Sequence, residues 1–197
     1  MENRDFWALT EQSHPGGELL SMWLLEEAQR MGGLLAGGKI LDVGCGQGGM
    51  LGILKDRGYW AEGIDLNLSS GWKDRGLMNG DFLTYPLEKD TYDGVVMECI
   101  LCLLDEVQAF RQICSCLKKG GILLISDIYQ KERGMPDYGD FGFRKISVRS
   151  CEQEWKSYLA QWIWNYGVEV HPSCLCEKKE DWKKLGYYAG VYQYWGG

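Results

Sequence analysis

Leu19, Leu20, Trp23, Leu24, Ala28 and Met31 recur at helical spacing, so the stretch after His14-Pro15-Gly16-Gly17 is predicted to be an amphipathic helix ending near Gly32-Gly33. The period then changes. Lys39-Ile40-Leu41-Asp42-Val43 is a short apolar run closed by glycines, after which Met50, Leu51, Ile53 and Leu54 resume helical spacing: strand, tight turn, helix. Trp60-Ala61-Glu62-Gly63-Ile64-Asp65 and Tyr92-Asp93-Gly94-Val95-Val96-Met97 predict further strands. Val107, Phe110, Ile113, Cys114 and Leu117 form the next helical stripe, closed by Lys119-Gly120-Gly121. The run Ile122-Leu123-Leu124-Ile125-Ser126 is apolar without a break, as expected of a central strand covered on both faces. Short strands alternating with helices predict an α/β architecture with a mostly parallel sheet.

Beyond Asp127 the rhythm stops. Residues 129–149 are charged, aperiodic and glycine-containing, which predicts a loop or mobile flap. Trp155, Tyr158, Leu159, Trp162, Ile163 and Tyr166 then form a strong helical stripe with Gly167 as its stop, and Val168-Glu169-Val170 reads as one more strand. At this spacing Trp155, Trp162 and Trp164 are read as core. No internal repeat is visible.

A length of 197 residues, 45% of them hydrophobic and 25% charged, suits one well-filled core, so a single domain is expected over residues 1–197. Its parts are an N-terminal helical cover (1–35), a ligand-binding core (38–128) and a C-terminal loop, helix and strand region (129–197). A net charge of −7 disfavours nucleic acid, whose phosphates need a concentrated cationic face. No run reaches the roughly 18 apolar residues of a membrane helix, and the first residues are acidic and polar, so no membrane partner and a cytoplasmic location are expected. The eight cysteines are scattered and read as free thiols. The pairs Cys99/Cys102, Cys114/Cys116 and Cys174/Cys176 lie among apolar neighbours without histidines at zinc-finger spacing. They are read as buried small hydrophobes, and no metal is expected.

The chemistry concentrates in Asp42-Val43-Gly44-Cys45-Gly46-Gln47-Gly48-Gly49, between a strand and a helix, where glycines let a ligand approach the backbone. Gly44, Gly46 and Gly49 also satisfy G-x-G-x-x-G, and Asp65 follows about 20 residues on, the spacing of the acid that holds a ribose in dinucleotide-binding folds. A nicotinamide-dependent oxidoreductase therefore stands as an alternative. Asp42, just before the first glycine, would repel a pyrophosphate but suits an ammonium. Asn79-Gly80-Asp81-Phe82 adds a carboxylate for an adenine amino group and an aromatic beside the ring, and Asp93 opens the fourth strand.

With Ile40-Leu41-Asp42-Val43-Gly44-Cys45-Gly46-Gln47-Gly48, Gly63-Ile64-Asp65, Gly80-Asp81-Phe82, Tyr92-Asp93-Gly94-Val95-Val96 and Leu117-Lys118-Lys119-Gly120-Gly121-Ile122-Leu123 in that order, residues 40–128 resemble the class I S-adenosylmethionine-dependent methyltransferases, in the broad small-molecule and ubiquinone-biosynthesis-like group. The resemblance implies a Rossmann-like, doubly wound sheet with helices on both faces, S-adenosylmethionine as cofactor and a small-molecule acceptor. It places Asp42, Gly44, Cys45, Gly46 and Gly48 at the methionine end, Asp65 with Leu66 at the ribose, and Gly80, Asp81 and Phe82 at the adenine. Met97, Glu98 and Cys99 fall at the transfer site. The family's antiparallel last strands are not recognisable, which suggests an atypical or shortened C-terminal third. Plainer readings stand beside these roles: a helix cap for Asp65, a turn residue for Asp81, a structural strand start for Asp93 and a surface turn for His14.

In-line methyl transfer needs alignment more than acid–base groups. Where the acceptor needs a base, Glu98, His14 and Tyr129 are the candidates by position. A thiol or metalloid acceptor would turn attention to Cys99, Cys102, Cys174 and Cys176. A cofactor-binding protein without catalysis is the remaining alternative, since fold alone does not fix function.

Overall fold

The computed structural model describes residues 14–68, 76–167 and 182–196, which form four α-helices and seven strands in one sheet. The chain order is α1 (Gly17–Arg30), β1 (Lys39–Val43), α2 (Gly49–Asp56), β2 (Trp60–Asp65), β3 (Leu77–Asn79), β4 (Tyr92–Glu98), α3 (Glu106–Cys116), β5 (Leu117–Gln130), β6 (Phe143–Ser150), α4 (Glu152–Tyr166) and β7 (Leu185–Tyr194). In space the strands run β3-β2-β1-β4-β5-β7-β6. The first five of that series are parallel, and β7 lies antiparallel between β5 and β6. Strand order reverses between β1 and β4, so the crevice beyond their carboxyl ends is where such sheets bind ligands.

Both faces are covered, which is why β1, β4 and β5 are apolar at consecutive positions. On one face, Leu20, Leu24 and Leu25 of α1, Leu51 and Leu54 of α2, and Trp155 and Trp162 of α4 pack on Ile40, Val96 and Leu124. On the other, Phe110 and Ile113 of α3 meet Leu41, Val95 and Leu123. No described helix is long and apolar enough to cross a membrane.

The structure corrects several expectations. Residues 129–149 are not a flap: β5 extends to Gln130, two short 3-10 turns follow, and β6 occupies Phe143–Ser150. β6 is an edge strand, and its arginines and lysine at Arg144, Lys145 and Arg149 protect the free edge while hiding the strand pattern. The antiparallel last strands are therefore present. β7 is hard to see in the sequence because Gly186 and Gly190 interrupt it, although both make room for aromatic rings. A Cβ on Gly186 would lie 2.6 Å from the Tyr129 ring, and one on Gly190 would lie 2.6 Å from that of Tyr192. The α1 stripe is rotated: Leu19 and Met31 are exposed while Ser21 and Leu25 are buried. Val107 and Trp164 are also exposed, so Trp164 is not core, whereas Trp155 and Trp162 are. Residues 168–170, read as a strand, and Cys174 and Cys176 lie outside the described residues.

Candidate functional site

At the carboxyl end of β1 the chain turns through Gly44, Gly46 and Gly48 at φ of 73°, 52° and 87°, values that side chains rarely adopt. The amides of Gly44 and Cys45 both donate to the Ile64 carbonyl, at 2.8 and 3.2 Å, which ties the turn to β2. A Cβ on Gly44 would lie 2.8 Å from Ile100, whereas one on Gly46 would meet nothing within 4 Å. Gly44 is thus required by packing. Gly46 presents bare backbone to open space.

Three carboxylates border this turn. Asp65, the last residue of β2, accepts from the Gly46 amide at 2.9 Å through Oδ2 and from the Asn67 amide at 2.8 Å through Oδ1. It fixes the glycine turn as well as closing its own strand. Asp42 is only 4% exposed. Burial pushes its carboxyl well above the ordinary range, the charges of Glu98 and Asp65 add to the effect, and no hydrogen bond among the described residues offsets them. Glu98 closes β4, and both its oxygens face the Ser21 hydroxyl of α1, which donates at 2.8 and 2.9 Å. His14 Nε2 lies 3.6 Å from Glu98 Oε2 and 3.4 Å from Ser21 Oγ. At 7% exposure, His14 is part of a buried polar cluster and not a surface turn.

Other candidates fall elsewhere. The Tyr129 side chain packs edge-on against Tyr188 within the α3-side cluster, on the sheet face opposite Glu98, so it does not join His14. Met97 and Phe82 are buried in the same cluster. Asp81 accepts from the Leu83 amide at 3.0 Å, which is the bond of a turn residue, while remaining partly exposed. Gly80 sits beside it, its amide donating to the Asp65 carbonyl at 2.9 Å, and Leu66 is 61% exposed at the end of β2. Asp93 accepts from the Lys39 amide and the Lys118 ammonium, both at 2.8 Å, the bonds of a structural strand start. Cys45 is buried, and desolvation, with the Asp42 and Asp65 charges, pushes its thiol up to about 12. It packs as an inert side chain.

Sequence reasoning missed Ser21, Ser126, Asp127 and Tyr187. Tyr187 donates to Ser126 Oγ at 3.1 Å, both residues being buried beside the end of β4. Ser21 carried a usable clue, since it lies four and seven residues before Leu25 and Ala28 in the buried stripe. A hydroxyl inside such a stripe asks for a partner.

A reversing parallel sheet with a glycine turn and strand-end carboxylates at its carboxyl edge defines a nucleotide-type ligand-binding α/β protein. Residues 18–173 match the family model described as methyltransferase domain, and the chain belongs to that family. No curated protein matches the sequence. Among solved structures, geranyl diphosphate C-methyltransferase from Streptomyces coelicolor A3(2), in complex with Mg2+, geranyl diphosphate and S-adenosyl-L-homocysteine, superposes with a TM-score of 0.66 at 14% identity, over 89% of this chain and 78% of that one. The [4+2]-cyclase SpnF gives a TM-score of 0.61 at 21% identity, over 90% and 82%. Phosphoethanolamine N-methyltransferase 2 of Haemonchus contortus, in complex with S-adenosyl-L-methionine, gives 0.65 at 19% identity, over 96% of this chain and 55% of that one. At such identities the likeness is one of fold.

Proposed function

We propose that this protein is an S-adenosylmethionine-dependent methyltransferase acting on a small molecule. The observation that carries this reading is the Asp42 carboxyl, buried beside Asp65 and Glu98 with no described donor to offset it. Three acids in poorly solvated surroundings favour a cationic ligand. The methionine end of the cofactor brings an ammonium and a sulfonium to one place, whereas the pyrophosphate of a nicotinamide cofactor would be repelled. The fit extends to the backbone, because Gly46 leaves open space at the turn. Asp65, though engaged by two amides, keeps lone pairs for ribose hydroxyls. Gly44, Cys45 and Gly48 shape the turn, Leu66 and Gly80 flank the ribose side, and Asp81 offers a carboxylate toward the adenine.

When bound, the cofactor supplies an electrophilic methyl group. The chain's own residues position and deprotonate the acceptor. Glu98, held by Ser21 and adjacent to His14, is the proton acceptor for a hydroxyl or ammonium substrate, and His14 is the group that can share the proton at Nε2. Cys99 lies next to Glu98 on the acceptor side.

Labelled S-adenosylmethionine incubated with the protein and a metabolite extract tests the proposal: one or more small metabolites should gain the labelled methyl group. The kinship in fold with a [4+2]-cyclase favours a second reading, cofactor binding without methyl transfer. S-adenosylhomocysteine binding in calorimetry with no labelled product from any extract would select it.

A further inference from the structure

In the sequence alone Cys99 and Cys102 read as small apolar side chains, but the fold adds a third group to them. The two Sγ atoms and a carboxylate oxygen of Asp127 lie within 4.8 Å of one another. Cys99 and Asp127 are buried, and Cys102 is partly buried. The backbone holds all three in place. The Cys99 amide donates to the Ser126 carbonyl at 2.7 Å, and Cys99 adopts φ of 56°. Asp127 receives the Cys102 amide on Oδ2 at 3.0 Å and the Ile128 amide on Oδ1 at 2.7 Å, so its carboxylate is aimed by the same turn that carries the second thiol.

We infer that Cys99, Cys102 and Asp127 form a binding site for a thiophilic divalent cation of the zinc class. Tetrahedral zinc with bonds of about 2.3 Å to sulfur and 2.0–2.2 Å to oxygen needs ligand atoms roughly 3.5–3.8 Å apart, so from separations of up to 4.8 Å the cluster must contract by about 1.0–1.3 Å at most. Two sulfurs and one oxygen leave the fourth position open, the pattern of a catalytic rather than a structural site. The cation replaces the two thiol protons, which pass to solvent, and binding therefore tightens as pH rises. With two thiolates and one carboxylate the loaded site keeps a single negative charge. It stands one residue from Glu98, where an open coordination position could receive an acceptor heteroatom. Among the described residues no other such group of cysteines, histidines or acids comes together, and burial pushes the Cys116 and Cys151 thiols up to about 12.

Cobalt(II) titration of the reduced full-length protein tests the site, because thiolate ligation gives a sulfur-to-cobalt charge-transfer band. One equivalent should produce the band, and zinc should abolish it by displacement. Cys99→Ser and Cys102→Ser should each weaken binding at least tenfold and diminish the band, whereas Cys114→Ser should leave both unchanged. Asp127→Asn, which can still accept the Cys102 amide, should keep the band with lower affinity, and circular dichroism shows whether each variant is folded. Absence of the band at one equivalent would overturn the inference, as would a band unchanged in both Cys99→Ser and Cys102→Ser. A Cys99–Cys102 disulfide in air with no cobalt band after reduction would also overturn it, making the pair a redox dithiol. S-adenosylhomocysteine titration of the same samples reports on the cofactor site separately.

Discussion

Asp42→Asn should make the ligand-free protein more stable while weakening its hold on the cofactor. In the folded chain this carboxyl titrates well above its ordinary value, through burial first and then the charges of Glu98 and Asp65. An acid with a raised folded pKa holds its proton more tightly in the native than in the unfolded state. Stability therefore falls as pH climbs from the unfolded value, and the full deficit is present above the folded one. Every tenfold difference in proton affinity between the two states corresponds to about 1.4 kcal/mol. Asparagine keeps the shape and removes the charge, so the deficit should disappear. For a chain of this size, 1 kcal/mol moves Tm by about 2–4 °C. Thermal scans from about pH 4 to 8 should show the variant melting several degrees higher at the alkaline end, with the gap closing toward the acid end where both proteins are neutral at this position. In the opposite direction, losing a charge-assisted contact of about 1.5–3 kcal/mol should weaken S-adenosylhomocysteine binding roughly tenfold to a hundredfold in calorimetry. A variant less stable than wild type near neutral pH, or a gap that does not change with pH, would refute the electrostatic account. An unaltered affinity would remove Asp42 from the cofactor site.

Asp65→Ala should lose about tenfold to a hundredfold in S-adenosylhomocysteine affinity and, because it also releases the Gly46 amide, about 1–3 kcal/mol of stability by urea titration, with Asp65→Asn losing less of both. Gly44→Ala should destabilise more than Gly46→Ala: both carry a left-handed penalty of about 1–2 kcal/mol, but only Gly44 adds a 2.8 Å clash with Ile100. Gly46→Ala should reduce cofactor affinity at a stability cost limited to that penalty, which paired melts and calorimetry would resolve. Burial raises the Asp93 carboxyl pKa, but its bonds from Lys118 and the Lys39 amide outweigh that and leave it lowered. Its contribution is present above the unfolded pKa and lost as pH falls through the lower folded value. Since the side chain is partly exposed, Asp93→Asn should cost only about 0.5–1 kcal/mol near neutral pH, with the difference fading as pH falls below the ordinary carboxylate value in acid titrations.

β1, β4 and β5 were legible because they lie inside the sheet with both faces covered, so their buried residues run consecutively in the sequence, whereas β3, a three-residue edge strand, leaves no such run. β6 and β7 obey different constraints. β6 is an edge whose outward residues must be charged to deter pairing, and β7 carries glycines where tyrosine rings lie against its backbone. A charged, glycine-bearing stretch is also what a loop looks like, and only the pairing of Asp127 with Tyr188 and Val148 with Gly190 tells them apart. The rotated α1 stripe has a similar origin, because Leu19 and Met31 fit the helical period but face solvent while a serine faces inward.

The candidate site divides along the same line. The places of Gly44, Gly46, Asp42 and Asp65 were legible since they follow from backbone conformation and from position at a strand end, properties local in sequence. The partnership of His14, Ser21 and Glu98 joins residues as far as 84 positions apart and exists only because α1 packs across the end of β4. It also binds two parts of the protein that the sequence presents as separate. A buried glutamate beside the buried Asp42 is costly unless a donor reaches it, and here the donor comes from the covering helix. Helix α1 is thereby held by the carboxylate that the proposed function makes the base. Movement of α1 away from the end of β4 must break the Ser21 bonds to Glu98. Under the proposed function, the position of α1 and the charge environment of the base are consequently one coupled property of the fold.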